Sequence, residues 1–300
     1  MNRRTFAQSL ATAAFAAAVP EFPARASAQM SGGADSSVPY SLSVMLWTVF
    51  RDMPFEERLA KVAEAGYNQV ELVGEYSKWT PADFDKATAA AKRLGIKFDA
   101  TAGLHNGVAN PAVRDAFLAE LKDALTPMET LSCPAMIVLS GNVVPGLSRE
   151  QQHEASIETL KRAAGVIEGK TVAGQPVRLL LECIDPKENP KFYMNSAAEA
   201  IDVVHAVNHP QVRFLYDMFH EQIGEGDLIA KLDKGIDVID LIHVADVPGR
   251  HQPGTGEINY YNIFKKLKEL KYKGVIAMEF MPNGDQVEAL KEAKKLALSA

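Results

Sequence analysis

The segment LIHVADVPGRHQPGTGEINY, residues 241–260, joins an apolar strand to a loop that carries several reactive side chains. Its prolines and glycines fix the backbone between Asp246, Arg250, His251 and Glu257. Binding residues concentrate on loops that a rigid scaffold holds in place. The segment therefore predicts one wall of a binding site, and the rest of the chain must supply the other walls.

Seven other short apolar runs resemble the strand of this segment, and longer amphipathic stretches follow each of them. The eight predicted strands are 42–46, 69–72, 97–102, 135–139, 178–183, 212–216, 238–244 and 275–278. The eight predicted helices are 54–65, 81–94, 111–125, 148–168, 196–207, 226–231, 260–270 and 286–298. Regular alternation predicts parallel strands, and eight such units in about 250 residues have the size of an α/β fold of the (β/α)8 TIM barrel type.

A doubly wound open sheet is the structural alternative. That fold usually places a glycine-rich nucleotide loop after its first strand, whereas LWTVF, residues 46–50, follows the first strand here. The sequence contains neither a GxGxxG nor a Walker A motif. We therefore favour the barrel and expect no nucleotide or flavin cofactor.

The composition is that of an ordinary globular protein, with 47% hydrophobic and 23% charged residues among 300. The net charge of −6 and the scattered lysines and arginines argue against a nucleic-acid binder, which needs clustered positive charge. We expect a small molecule as the binding partner, and a homo-oligomer is compatible with the sequence.

The N-terminus has the pattern of an export signal. Two arginines at Arg3 and Arg4, a weakly apolar run and a small-residue cleavage site at 26–28 predict a twin-arginine export signal over residues 1–28. Residues 29–39 would then be a flexible lead-in to a single barrel domain, 40–300, and the protein would be periplasmic or otherwise exported. No other stretch is long and apolar enough to predict a membrane span.

Four successive predicted strands end in residues of metal-binding types: Glu182, Asp217, His243 and Glu279. Reactive groups of TIM barrels stand at the carboxyl ends of the strands, so these four side chains are expected to converge. A single acid at a strand end is more often a solvated or helix-capping residue, and a single histidine is more often part of the core. The set is stronger evidence, because three crowded carboxylates repel one another unless a cation neutralises them.

The ligand types indicate which cation fits. Three carboxylates and one imidazole suit one hard or borderline divalent ion with open positions for substrate, which favours Mn2+ or Mg2+, with Co2+ as a further candidate. Zn2+ prefers more nitrogen or sulfur ligands.

Several motifs carry a resemblance to a known family. They are LECID at 181–185, LYDMFH at 215–220, HVADVPGRHQPGTGEINY at 243–260 and GVIAMEFMP at 274–282. With them the sequence resembles the hydroxypyruvate isomerase branch of the xylose-isomerase-like TIM barrels, a group that also contains ketose 3-epimerases and inosose dehydratases. The N-terminal half shares the strand pattern and the start of the first helix, DMPF at 52–55, but less detail.

The resemblance implies roles for the strand-end residues. Glu182, Asp217, His243 and Glu279 would be the metal ligands, and Glu182 and Glu279 would also be the paired acid and base. Their chemistry would be removal of a proton next to a carbonyl group and its return to the neighbouring carbon through an enediolate, whose charge the metal stabilises.

The substrate would be held by residues that follow the strands. His220, Arg250 and His251 are expected to anchor it, because a guanidinium suits a carboxylate or a pair of hydroxyl oxygens. For Arg250 and His251 the alternative is a solvated loop pair. His220 could instead support a metal ligand.

Three further residues are candidates for contact with the substrate or with its binding residues. Glu71 and His105 are candidate substrate contacts, and the alternative for Glu71 is an ion pair inside the barrel. Glu257 could orient Arg250 or His251, or could favour the start of the helix at Tyr260.

The departures from the family pattern lie in the loops that select the substrate. Met281 stands where the isomerases commonly have lysine, and GEYSKW at 74–79 and GLHNG at 103–107 also differ. From the strand-end residues and the resemblance together, we predict a divalent-metal-dependent isomerase for hydroxypyruvate or a related small hydroxy-carbonyl compound. A keto-sugar 3-epimerase or a dehydratase or lyase on the same metal site is the alternative, and a non-catalytic sugar-binding module is an alternative of another class.

Overall fold

Eight parallel strands close into a barrel in the computed structural model, which describes residues 38–300. The predicted export signal, and most of the lead-in, lie outside the described residues. The barrel strands are β1 (Ser41–Met45), β2 (Gln69–Val73), β3 (Lys97–Ala102), β4 (Ala135–Leu139), β7 (Arg178–Glu182), β8 (Val212–Asp217), β9 (Ile239–Val244) and β10 (Val275–Met278). Their order around the ring is β1-β10-β9-β8-β7-β4-β3-β2. The TIM barrel prediction is confirmed.

The α-helices follow the barrel strands in sequence. They are α1 (Phe55–Glu64), α2 (Pro81–Leu94), α3 (Arg114–Leu131), α4 (Arg149–Ile167), α5 (Ala197–Val207), α6 (Met218–Gly224), α7 (Leu228–Gly235), α8 (Tyr260–Glu269) and α9 (Gln286–Ser299). Local signals set several ends: Thr80 and Asp83 form a capping box at the start of α2, and Gly95 ends that helix at φ 69°.

The inward faces of the strands determine what stands at the barrel mouth. Leu180, Leu215, Leu241 and Ala277 belong to the buried cluster inside the ring. Because side chains alternate along a strand, the residue two positions further on each strand points to the same side. Glu182, Asp217, His243 and Glu279 are those four residues, so the period of the strand itself brings them to one mouth.

The structure differs from the sequence prediction in the part of the chain around β7 and β8. Helix α6 begins directly after β8, because the carboxylate of Asp217 accepts hydrogen bonds from the backbone amides of Phe219 and His220 and caps the helix. The predicted helix at 226–231 is α7, which is shifted toward the C-terminus. A two-stranded hairpin, β5 (Thr171–Val172) and β6 (Gln175–Pro176), precedes β7.

Helix α3 runs beyond its predicted end at residue 125 and contains Pro127. Met128 and Leu131 in the added turn are buried in the core, and this burial offsets the loss of a helical hydrogen bond at proline. Among residues 38–300, no helix is long and apolar enough to cross a membrane.

Candidate active site at the carboxyl ends of the strands

Four buried side chains converge at the carboxyl ends of β7, β8, β9 and β10. Glu182, Asp217, His243 and Glu279 each offer one ligand atom, and these atoms all lie within 4.8 Å of one another. None of the four side chains is more than 9% exposed. The structure thus brings together the set that the sequence singles out.

The contacts of His243 show how this set could hold a cation. Its Nδ1 lies 2.7 Å from Oε2 of Glu279, 3.9 Å from Oε1 of Glu182 and 4.0 Å from Oδ2 of Asp217. Despite this proximity, Nδ1 and Oε2 of Glu279 are buried and have no hydrogen-bond partner with acceptable geometry within the described chain. Two buried polar atoms that approach without a hydrogen bond are arranged as ligands of one ion, so the residues fit a divalent metal.

The two glutamates have opposite electrostatic environments. Burial raises the pKa of Glu182 to about 7; His243 opposes this shift, while Glu279 and Asp217 add to it. Burial also acts to raise the pKa of Glu279, but the charges of Arg250 and His243 outweigh it and hold that pKa well below its usual range. In the absence of a metal ion, a proton therefore resides on Glu182 far more readily than on Glu279.

Arg250 closes one side of the set. Its guanidinium lies 2.8 Å from Oε2 of Glu279 and 3.4 Å from Oδ2 of Asp217, and it stacks on the rings of Phe219 and Trp47 at 4.6 and 5.8 Å. The backbone of Arg250 is left-handed at φ 55°, which is uncommon for this residue type and is held by the surrounding loop. The indole of Trp47 donates to Oε1 of Glu279 over 3.0 Å. Trp47 is thus a direct neighbour of the carboxylate, which its apolar character in the sequence does not indicate.

His220 lies beside Arg250 and is fixed by two acids. Its Nδ1 is 2.6 Å from Oδ2 of Asp185, and its Nε2 is 3.5 Å from Oδ2 of Asp217. Burial lowers the pKa of His220, but these two carboxylates outweigh it and raise the pKa to about 9. His220 and Arg250 therefore present two positive charges at the mouth of the barrel.

Asp185 is a residue that the sequence reasoning missed. Its Oδ1 accepts from the amides of Lys187 and Glu188, so the carboxylate is held rigidly against His220. Asp185, Glu188 and His220 also place ligand atoms within 4.8 Å of one another. The only signal in the sequence is the position of Asp185 three residues after Glu182.

Asp246, which the sequence singles out without assigning it a role, organises the loop at 246–258. Its buried carboxylate accepts four backbone hydrogen bonds, from Val247, Gly254, Gly256 and Ile258. A carboxylate bound by several amides is a rigid anchor. The loop that carries Arg250 and His251 therefore has a fixed shape.

The remaining predicted site residues lie in different environments. His251 is partly buried, and its Nδ1 lies 2.8 Å from the carbonyl oxygen of Met281. Glu71 is fully buried, and its Oε2 lies 2.8 Å from Nε2 of His243. The other ring nitrogen of His243, Nδ1, faces Glu182, Asp217 and Glu279. The side chain of His105 is exposed, and its backbone amide donates to Glu120 of α3.

Glu257 is likewise exposed. Its carboxylate accepts from Gln222 over 3.2 Å. The structure thus gathers the strand-end residues with His220 and Arg250 at the mouth, places Glu71 behind His243, and leaves His105 and Glu257 at the surface.

The barrel and its mouth define a class of protein: a TIM barrel whose mouth carries three carboxylates and one histidine suited to a divalent ion. More narrowly, the chain belongs to the xylose isomerase-like TIM barrel family, whose model matches residues 59–297.

Curated relatives of the chain are named as isomerases. The 2-oxo-tetronate isomerase of Haemophilus influenzae is 30% identical over 251 residues, which cover 82% of this chain and 95% of that protein. A protein of Danio rerio named putative hydroxypyruvate isomerase is 29% identical over 262 residues, which cover 82% of this chain and 92% of the relative.

Solved structures share the fold. A protein of Brucella melitensis described as an AP endonuclease of family 2 is 26% identical, with a TM-score of 0.75, and the match covers 86% of this chain and 98% of that one. The D-psicose 3-epimerase of Clostridium cellulolyticum H10 and an IOLI protein with a bound zinc atom each have a TM-score of 0.70 at 20% identity. Each match covers 86% of this chain and 96% of the other. At that identity the last two support the barrel alone.

Proposed function

We propose that the protein is a divalent-metal-dependent isomerase that acts through an enediolate on hydroxypyruvate or a related small hydroxy-carbonyl compound. The observation that carries the proposal is the mouth of the barrel, where Glu182 and Glu279 both contribute to the same set of ligand atoms as His243 and Asp217. The names of the curated relatives support the reaction class, because they are hydroxypyruvate and 2-oxo-tetronate isomerases.

The acid and base would be the two glutamates. Isomerisation moves a proton between neighbouring carbons, so it needs a carboxylate that accepts a proton and a group that returns it. In the metal-free protein burial raises the pKa of Glu182 to about 7, so Glu182 is the glutamate that more readily carries a proton. Arg250, whose guanidinium lies 2.8 Å from Oε2 of Glu279, holds Glu279 ionised, so this carboxylate can accept a proton from carbon on the facing side. A bound divalent ion would polarise the substrate carbonyl and stabilise the enediolate charge.

The cations at the mouth would select the substrate. His220 carries a positive charge at neutral pH because its pKa is raised to about 9, and Arg250 lies beside it with its Nη1 3.4 Å from Nε2 of His220. Two adjacent positive charges favour a substrate that carries a carboxylate, as hydroxypyruvate does. His251, in the same loop as Arg250, would contact the substrate with the edge of its ring.

The metal would be Mn2+ or Mg2+, with Co2+ as a further candidate. Three carboxylates and one imidazole are oxygen-rich ligands, and they favour a hard ion with open positions for two substrate oxygens. Glu182, Asp217, His243 and Glu279 would hold it.

Proton NMR in D2O tests the reaction. The purified protein is loaded with Mg2+ and incubated with hydroxypyruvate and with 2-oxo-tetronate. We expect solvent deuterium to enter the carbon next to the carbonyl group as the isomer forms, and we expect Glu182→Gln and Glu279→Gln each to reduce the rate by at least about a hundredfold. The proposal fails if neither substrate exchanges a proton with Mg2+, Mn2+ or Co2+ present.

The same experiment separates the alternatives when keto-sugars are added to the substrates. A keto-sugar 3-epimerase would incorporate deuterium at one carbon and keep the carbonyl position, whereas a dehydratase or lyase would yield an unsaturated product. A non-catalytic sugar-binding module would show a ligand-induced rise in melting temperature that survives Glu182→Gln, without turnover before or after the change.

We also propose that residues 1–28 direct the protein out of the cytoplasm. The support is the order of the twin arginines, the apolar run and the small-residue site in the sequence. Cell fractionation tests this proposal: Arg3→Lys combined with Arg4→Lys should retain the protein in the cytoplasm. Unchanged export would contradict it.

A further inference from the structure

A line of buried polar side chains runs from His243 into the barrel, away from the mouth. Oε2 of Glu71 lies 2.8 Å from Nε2 of His243, and Ser43 donates to Oδ1 of Asp99 over 2.8 Å. Between them, the carboxyl groups of Glu71 and Asp99 are electrostatic neighbours, and Oε1 of Glu71 and Oδ2 of Asp99 have no hydrogen-bond partner within the described chain. These residues come from β9, β2, β3 and β1, and none is more than 3% exposed. The line thus connects the ligand set with strands that supply no ligand.

The position of this line is unusual for a barrel interior. TIM barrels fill this space with layers of apolar side chains, and Met45, Ala100 and Ile137 belong to the apolar cluster inside this ring. Burying two carboxylates is costly unless hydrogen bonds and charges compensate. Apolar residues of similar size would fill the same space without that cost, which indicates that the two acids have a function.

The two ring nitrogens of His243 face different groups. Nδ1 faces Glu279, Glu182 and Asp217, whereas Nε2 faces only Glu71 among the contacts described. A metal-binding histidine must present an unprotonated nitrogen to the ion, so its proton must sit on the other nitrogen. A carboxylate opposite that other nitrogen fixes both the tautomer and the ring plane.

We propose that Glu71 is a positioning residue for His243, with Asp99 and Ser43 behind it in the barrel. The Nε2–H of His243 donates to Glu71, and Nδ1 is thereby kept free to bind the divalent ion. The inference rests on the proposed function, since it assumes that the ligand set binds a metal. It assigns Glu71 a role in metal affinity rather than in contact with substrate.

The burial of Glu71 supports this role. The side chain is 0% exposed, and the imidazole ring stands between its Oε2 and the other three ligands. A substrate at the mouth would meet the Nδ1 side of the ring. Glu71 therefore affects catalysis through His243.

Isothermal titration of the metal-free protein with Mn2+ tests the proposal. We expect Glu71→Gln and Glu71→Leu to weaken Mn2+ binding by about 10- to 100-fold. Glu221→Gln is the matched control, because Glu221 is another buried glutamate with its own partners, the amide of Ala197 and Lys231. The control should lower the melting temperature and leave Mn2+ affinity within about twofold.

A kinetic measurement distinguishes positioning from substrate contact. At saturating Mn2+, the Glu71→Gln variant should keep the KM for substrate within about threefold of the wild-type value, and kcat should largely recover. A KM that stays raised at saturating Mn2+ would overturn the inference in favour of a substrate contact.

If the Glu71 variants do not fold, Ser43→Ala provides the test. It removes only the hydroxyl group at the far end of the line and should weaken Mn2+ binding by about two- to fivefold. Wild-type Mn2+ affinity in every variant that folds would overturn the inference and leave the isomerase proposal standing. A wild-type protein that binds none of Mn2+, Mg2+ or Co2+ would overturn the proposed function itself.

Discussion

Replacing Asp246 by asparagine should loosen the loop that carries Arg250 and His251. In the structure, Oδ1 accepts from the amides of Val247 and Ile258, and Oδ2 accepts from those of Gly254 and Gly256, at 2.9 to 3.0 Å. In Asp246→Asn one of these oxygens becomes an NH2 group, which turns its own hydrogens toward two amide donors. Two hydrogen bonds to a charged group are lost in either orientation of the amide.

The loss of stability in Asp246→Asn follows from the number of hydrogen bonds that are lost. A hydrogen bond to a charged group contributes about 1.5–3 kcal/mol, so two give about 3–6 kcal/mol, and rearrangement of the loop toward water recovers part of it. We expect the free energy of unfolding to fall by about 3 kcal/mol. Urea denaturation with linear extrapolation measures the change.

Hydrogen exchange locates the effect. The amides of Gly254 and Gly256 should exchange about a hundredfold faster in Asp246→Asn, because local opening becomes easier by a similar free energy. Asp237→Asn is the control: Asp237 is an exposed acid that pairs with His205, so its replacement should change stability by less than about 0.5 kcal/mol. If Asp246→Asn also stays within about 0.5 kcal/mol and the two amides remain protected, the anchoring role is refuted.

Three further predictions concern the loop and the mouth of the barrel. In Gly256→Ala the new Cβ would lie 2.1 Å from a backbone carbonyl oxygen, so the free energy of unfolding measured in urea should fall by more than about 2 kcal/mol. Gly165→Ala is the control, because Gly165 lies in an exposed turn of α4 with open space around it. This variant should be neutral or stabilising by up to about 1 kcal/mol. Trp47→Phe removes the donor to Oε1 of Glu279 and should reduce kcat about tenfold in steady-state assays, with little change in KM; an unchanged kcat would contradict this. Because the folded pKa of Glu182 lies near 7, above its usual value of 4.5, this group makes the metal-free protein less stable as pH rises from 4.5 toward 7. Metal binding should release a proton at pH 6.5, and calorimetry in buffers of different ionisation enthalpy would contradict this if it detects none.

The barrel and its ligand set were predictable because both depend on local regularities. The alternation of side chains along a strand and the length of one βα unit place Glu182, Asp217, His243 and Glu279 on one mouth, and each regularity can be read over a few residues or one repeat. Helix α6 was missed for a local reason too, since Asp217 serves both as a strand end and as a helix cap.

Contacts between distant parts of the chain could not be read in the same way. Glu71 and His243 are separated by 172 residues, and nothing in the sequence around either residue indicates which ring nitrogen faces which acid. The four amides that bind Asp246 depend on the path of the loop, and Trp47 meets Glu279 only because the first and last strands are neighbours in the closed ring. These contacts require the folded backbone.

The closed order of the strands makes His243 the meeting point of the two halves of the chain. The C-terminal half alone, from β7 to β10, contains all four ligand atoms on adjacent strands. The groups that orient them, Glu71 and Trp47, arrive from β2 and from the turn after β1. In a folding chain whose first strands have not yet docked, the ligands would be present but not oriented. Tight metal binding would therefore begin only when the ring of strands closes.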